Sequence, residues 1–203
     1  MANDTAKVDY SKKTANARSD KRRDRILRAL HDCVIEKGYA KTTLADVARG
    51  AGMSSSHLLY YFRGKDTILE YYFGEMAGRL LERIDGFRTE RPAHQIDSLA
   101  ELFFSGKAMS TSEIGFMLEC FGAAVHDEKL HLEKSELDRA FKKYLEELFQ
   151  QSPGGSAEAG NTAEIAYSML IGLLTVAFFD KRLGLPKARQ LFRAEMLRLA
   201  SPD

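Results

Sequence analysis

Residues Thr43 to Phe62, TLADVARGAGMSSSHLLYYF, hold two short helical patterns on either side of one Gly-centred turn, and this constrains the chain more than any other feature. The Thr43 hydroxyl can take a free N–H of a first helical turn, and Asp46, three residues on, can reach back to complete a capping box. A helix is therefore expected to start at Thr43. Leu44, Val47 and Ala48 fall on one of its faces, and Ala51-Gly52 ends it, because Gly takes the left-handed conformation that follows many helices. Ser54 can cap a second helix that turns Leu58, Leu59 and Phe62 inward and leaves Ser55, Ser56, His57, Tyr60 and Tyr61 outward. Together these make a helix-turn-helix with a reading face, although a plain αα-hairpin in an all-helical domain has the same spacing.

The rest of the chain reads as helix too. Residues 1–19 are polar and basic with almost no apolar periodicity, the composition of a flexible arm whose Lys12, Lys13 and Arg18, with Lys21, Arg22 and Arg23 just beyond, would attract phosphate. From about Asp20, Ile26, Leu27, Leu30, Cys33 and Val34 keep three- and four-residue spacing up to Lys37, and Gly38 ends the run. After Lys65, Ile68, Leu69, Tyr72, Phe73, Met76, Leu80, Leu81 and Ile84 stay in helical phase, so one long helix can join residues 20–68 to a second body over 69–203. Arg91-Pro92 breaks that pattern. Further stripes follow on Ile96–Phe103, Ile114–Val125 and Leu130–Phe149. A Pro/Gly/Ser loop then leads to an unusually apolar helix from Thr162, and Pro186 sits in the first turn of a last one.

The 203 residues are 44% hydrophobic and 29% charged, ordinary for a soluble chain able to bury a core. The net charge of +1 hides an asymmetry: residues 1–75 hold 14 Lys/Arg against 10 Asp/Glu, net +4, and residues 76–203 hold 16 against 19, net −3. The positive part contains the helix-turn-helix, as a phosphate-facing end requires. Cys33 and Cys120 sit apart in apolar contexts without metal-ligand spacing and read as buried free thiols suited to a reducing cytoplasm. The longest uncharged stretch, Ile165 to Phe179, is shorter than the roughly 20 residues that span a bilayer, so no membrane segment is expected. No nucleophile elbow, HExxH, P-loop or GxGxxG is present, which argues against an enzyme; no cofactor or metal is expected.

Thr42-Thr43, Val47-Ala48, Ala51-Gly52, Ser54, Tyr60-Tyr61-Phe62 and Lys65 together resemble the signature of the tetracycline-repressor (TetR) family over about Arg25 to Leu69. The resemblance implies an all-α fold, with a three-helix DNA-binding head joined by a long helix to a larger helical regulatory and dimerisation domain. It implies a homodimeric repressor released from a palindromic operator by a small, largely apolar molecule. The alternative is a helix-turn-helix protein whose second domain only dimerises or binds a protein. DNA contact is expected from Thr43, Ser54, Ser55, Ser56, His57, Tyr60, Tyr61 and Lys65. In the family a Gly or similar residue usually stands at Ser56 and a backbone-touching Tyr at Leu59; Leu cannot donate to phosphate, so Tyr60, Tyr61 and Lys65 would carry more of the positioning. The family's dimer seam would correspond to residues 128–151 and 162–179. An effector cavity would draw on Phe103, Phe104, Met109, Phe116, Met117, Cys120, Phe121, Tyr167, Met169 and Phe178, with His126 or Tyr167 as polar points, although such residues at helical spacing also simply pack.

Overall fold

The computed structural model describes residues 10–153 and 158–201, with side chains from residue 20 onward. Its helices are α1 (Tyr10–Lys37), α2 (Leu44–Gly50), α3 (Ser55–Leu59), α4 (Lys65–Asp85), α5 (Pro92–Phe104), α6 (Thr111–Ala124), α7 (Glu128–Gln150), α8 (Ala159–Phe179) and α9 (Gly184–Ala200), with a 3-10 turn at Gly86–Thr89 after α4. No strand occurs among the described residues, so the all-α expectation holds. The chain divides into two compact units after Leu69, within the first two turns of α4.

The first unit is built on the apolar stripe of α1. Ile26, Leu27, Leu30 and Val34 are buried at helical spacing, as are Val47 and Ala48 of α2, Leu58 of α3, and Phe62, Ile68 and Leu69 beyond it. Helices α1 and α2 approach closely: a Cβ on Gly50 would lie 3.1 Å from Cβ of Ala29, so a larger residue there would push the pair apart. The turn between α2 and α3 depends on Gly52, whose φ of 67° is costly for any residue with a Cβ.

Two expectations change here. Helix α1 begins at Tyr10, so the flexible arm drawn over 1–19 is already helical in its second half; residues 1–9, and the side chains of Lys12, Lys13 and Arg18, lie outside the described residues. Leu59, expected inward, is 49% exposed. In a one-turn helix only the Leu58 and Phe62 direction points to the core, and Leu59 stands about 100° round from Leu58.

The second unit packs α5 to α9 and most of α4 around one core that includes Ile96, Phe103, Phe104, Phe141, Leu170, Phe192 and Met196. Pro92 opens α5 at its first turn, where a missing N–H costs nothing. Ser110 and Glu113 cap α6 reciprocally, and Asp127 caps α7 through the Leu130 N–H. One polar link crosses the core: the Tyr144 hydroxyl donates to Gln95 Oε1 at 2.8 Å, and Gln95 Nε2 donates to the Glu90 carbonyl at 2.8 Å. Helix α8 starts at Ala159, not Thr162, and with 21 residues and an 18-residue stretch of mean hydropathy 1.7 it is long and apolar enough to cross a membrane. Ala159, Ala163, Ala166, Leu170 and Leu174 instead bury one stripe of it in the core, while Ile165, Val176 and Phe179 stay exposed on the other side. Cys120 is buried as expected and Cys33 is only half-buried; both are free thiols.

Candidate functional site

Local capping fixes the two short helices that would face a duplex. Thr43 Oγ1 accepts the Asp46 N–H at 3.2 Å and donates to Asp46 Oδ2 at 2.6 Å, while the Thr43 N–H donates to the same oxygen at 3.0 Å. Lys37 Nζ lies 2.5 Å from that carboxylate, and its hydrogen bond, followed by those of Thr43, holds the Asp46 carboxyl well below the usual range. Ser54 Oγ accepts the His57 N–H at 3.2 Å and so sets the start of α3. Thr43 and Ser54 are thus committed to caps through their hydroxyls, although both remain exposed.

The outward surface of α3 carries Ser56, His57, Leu59 and Tyr60, with Ser55 and Tyr61 half-buried at its edge. Tyr60 is 83% exposed, and its ring stands edge-on to Tyr61 with centroids 5.3 Å apart. Tyr61 is more constrained, since its hydroxyl accepts from Arg22 Nη1 at 3.1 Å and its ring lies 5.6 Å from that of His57. This bond brings the start of α1 beside α3. Arg22, Arg25 and Arg28 recur every three residues on the exposed side of α1, with Lys21 beside them. Arg25 and Arg28 were not among the expected contacts; the signal was present as basic residues filling the gaps between Ile26, Leu27 and Leu30.

Lys65 is tied inside the unit. Its ammonium donates to the carbonyls of Tyr39 and Thr42, each at 3.1 Å, and sits 4.3 Å from the centre of the Tyr39 ring. The Tyr39 hydroxyl in turn donates to Asp66 Oδ1. Two of the three ammonium protons are therefore used in fixing the start of α4 against the segment before α2.

The second unit contains a cavity of about 310 Å³ bounded by α4, the end of α5, α6, α7 and α8. That volume is at the small end of the roughly 300–1,000 Å³ usual for small-molecule sites. Of the residues expected there, Phe103, Met109, Met117, Phe121 and Tyr167 line it. Phe104, Phe116, Cys120, Met169, Phe178 and His126 do not. Phe104 packs on Phe192 with centroids 5.3 Å apart, Phe116 on Tyr72 at 4.6 Å, and Phe178 stands edge-on to Phe179 at 5.0 Å. Burial pushes the Cys120 thiol up to about 12, the mark of an inert core cysteine. The wall that periodicity did not reveal comes from α4: Tyr72, Phe73, Met76 and Leu80, with Arg79 and Arg83 beside them. Among the described residues no group of three or more His, Cys, Asp or Glu could hold a metal ion.

Residues 26–72 match the family model of bacterial regulatory proteins, tetR family. The chain is 26% identical over 124 residues to the HTH-type transcriptional regulator BetI of Stenotrophomonas maltophilia, an alignment covering 59% of this chain and 63% of that one. Its fold is similar to that of a transcriptional regulator from Rhodococcus sp., with a TM-score of 0.78, 19% identity, and 87% and 95% of the two chains covered. It is also similar to a regulator from Saccharomonospora viridis in complex with choline, with a TM-score of 0.76, 17% identity, and 88% and 96% covered.

Proposed function

We infer that this chain, a member of the tetR family of bacterial regulatory proteins through its residues 26–72, is a cytoplasmic, sequence-specific transcriptional repressor that binds a palindromic operator as a homodimer and is released by a small molecule. The observation that carries the reading is the exposed edge of α3. Its Ser54 cap, its outward Ser56, His57 and Tyr60, and the neighbouring Arg22 support an assignment as base-reading and phosphate-binding groups. Ser55, Ser56 and His57 are assigned to base edges. Tyr60 and the Arg22, Arg25 and Arg28 row are assigned to phosphate, with Tyr61 and Lys65 holding the surface in place and Lys65 keeping one proton for phosphate. Thr43 contributes through the capped end of α2.

Dimerisation is assigned to α7 and α8, roughly residues 128–151 and 162–179. The exposed Ile165, Val176 and Phe179 on a helix already buried on its other side support this. Two copies supply two recognition helices for half-sites one helical turn, about 34 Å, or a multiple of it apart. The cavity in the second unit and the choline complex of a similar structure support control by an effector. Coupling requires the effector to favour one arrangement of the two heads by about 1–3 kcal/mol.

Selection of random duplexes by the purified protein, followed by binding at several salt concentrations, tests this. Recovery of a palindrome whose affinity falls steeply with salt is the expected result, and His57→Ala should alter which sequences are enriched. Recovery of nothing above non-specific binding would remove the repressor reading.

A further inference from the structure

The cavity of the second unit is apolar along most of its wall, and three of its four charged residues are cationic. Arg79 and Arg83 are one turn apart on α4, and Lys107 stands on the segment between α5 and α6. Arg83 makes no ion pair among the described residues, and the partners of the other two are loose: Arg79 lies 3.8 Å from Glu75 and Lys107 3.5 Å from Glu101. Such exposed pairs contribute little, so an arriving anion can displace them. The one carboxylate lining the cavity, Glu113, accepts the Ser110 N–H at 2.7 Å to cap α6.

Several of the groups that would receive a cation are already engaged within the chain. Lys134 Nζ lies 4.4 Å from the centre of the Phe121 ring, and Lys142 Nζ lies 5.3 Å from that of Tyr167. Asp138, beside the Tyr167 hydroxyl that donates to it, is paired with Lys134 at 2.5 Å. Phe103 and Phe141 stack on each other with centroids 5.6 Å apart. A quaternary ammonium ligand needs free aromatic faces or a free carboxylate; here Phe121 and Tyr167 already face protein ammonium groups, Tyr72 packs on Phe116, and the one lining carboxylate, Glu113, is engaged in a helix cap.

We propose that the cavity takes an amphipathic anion, a carboxylate on a compact apolar body such as a medium-length acyl chain, with its head at Arg79, Arg83 and Lys107 and its body against Met76, Phe103 and Met117. The proposal rests on the reading of the cavity as the effector site and specifies its chemistry, which differs from that of choline.

Calorimetric titration of the full chain with octanoate, octanol and octyltrimethylammonium compares three heads on one tail. Octanoate should bind about tenfold or more tighter than either of the others, the value of one charge-assisted contact. The preference should vanish in the Arg79→Gln, Arg83→Gln, Lys107→Gln triple variant, whose changes are all on exposed side chains, while octanol binding persists. Met117→Trp, which fills the cavity, should abolish binding of all three. Equal binding of the three, or preference for the ammonium, overturns the anionic class and leaves the cavity standing as a ligand site. Binding that survives Met117→Trp places the anion outside the cavity and overturns the proposal. Binding of none of the three removes both the proposal and the cavity's role as an effector site.

Discussion

Lys65 has two carbonyl acceptors and an aromatic face inside the protein, so a change there acts on folding before it acts on DNA. Lys65→Met keeps the stem and loses the charged donors; urea unfolding should show a loss of about 2 kcal/mol, in the range for hydrogen bonds to charged groups. Arg25, proposed to contact phosphate, should behave oppositely, with Arg25→Ala leaving the urea midpoint in place and lowering the salt dependence of DNA binding. Glu133 presents a second residue-level test. Its Oε2 is buried without a hydrogen-bond partner, and burial, opposed by Lys129 and reinforced by Glu70, Asp127 and Glu136, raises its carboxyl. A carboxyl raised by folding binds its proton more tightly in the folded chain, so the penalty is absent at low pH and grows as pH rises through the folded value. Glu133→Gln should therefore raise the melting temperature at pH 7 and converge with the parent near pH 4; a constant difference across that range would rule out the buried charge as its cause. Thiol reactivity follows from burial as well: native protein at pH 8 should be alkylated at Cys33 and not at Cys120 until it is unfolded, as peptide mapping can check.

Short helices with their own caps were legible in the sequence, because each cap is a contact over three residues. Thr43 with Asp46, and Ser54 with the His57 N–H, appear as the residue types suggested. Thr43→Ala removes the hydroxyl half of the first box, leaving the backbone N–H on Asp46, and should cost about 1 kcal/mol in thermal or urea unfolding. Where no side chain marks a start, the boundary moved: Glu158 makes no cap hydrogen bond, and α8 begins a turn before the Thr162 that resembled its opening. Likewise Leu59 was assigned to the core by composition, although a single turn of helix has room for only Leu58 and Phe62 on that face. Periodicity also reports which side of a helix is buried and not where packing is incomplete. Phe104, Phe116 and Cys120 carry the same signal as Phe103, Met117 and Phe121, yet only the latter three border the cavity. The α4 wall escaped for the same reason, since Tyr72, Met76 and Leu80 read equally well as ordinary core.

At the scale of the whole molecule, the two units divide the charge: a basic unit with the α3 surface proposed to read DNA, and an acidic unit with the cavity and the apolar flank of α8. Replacing Val176 by Asp on that flank should leave the fold intact, since the residue is 47% exposed, and shift sedimentation from dimer to monomer. DNA affinity should fall with it, because each copy then brings one recognition helix. The same stripe has an effect outside the structure. In the proposed dimer Ile165, Val176 and Phe179 would be shielded from water by the second copy, and the reading-competent form would be set by mass action. Abundance then becomes an input alongside the effector: a cell holding few copies would keep them largely unassembled and silent, and doubling the gene dose would raise occupancy more than twofold.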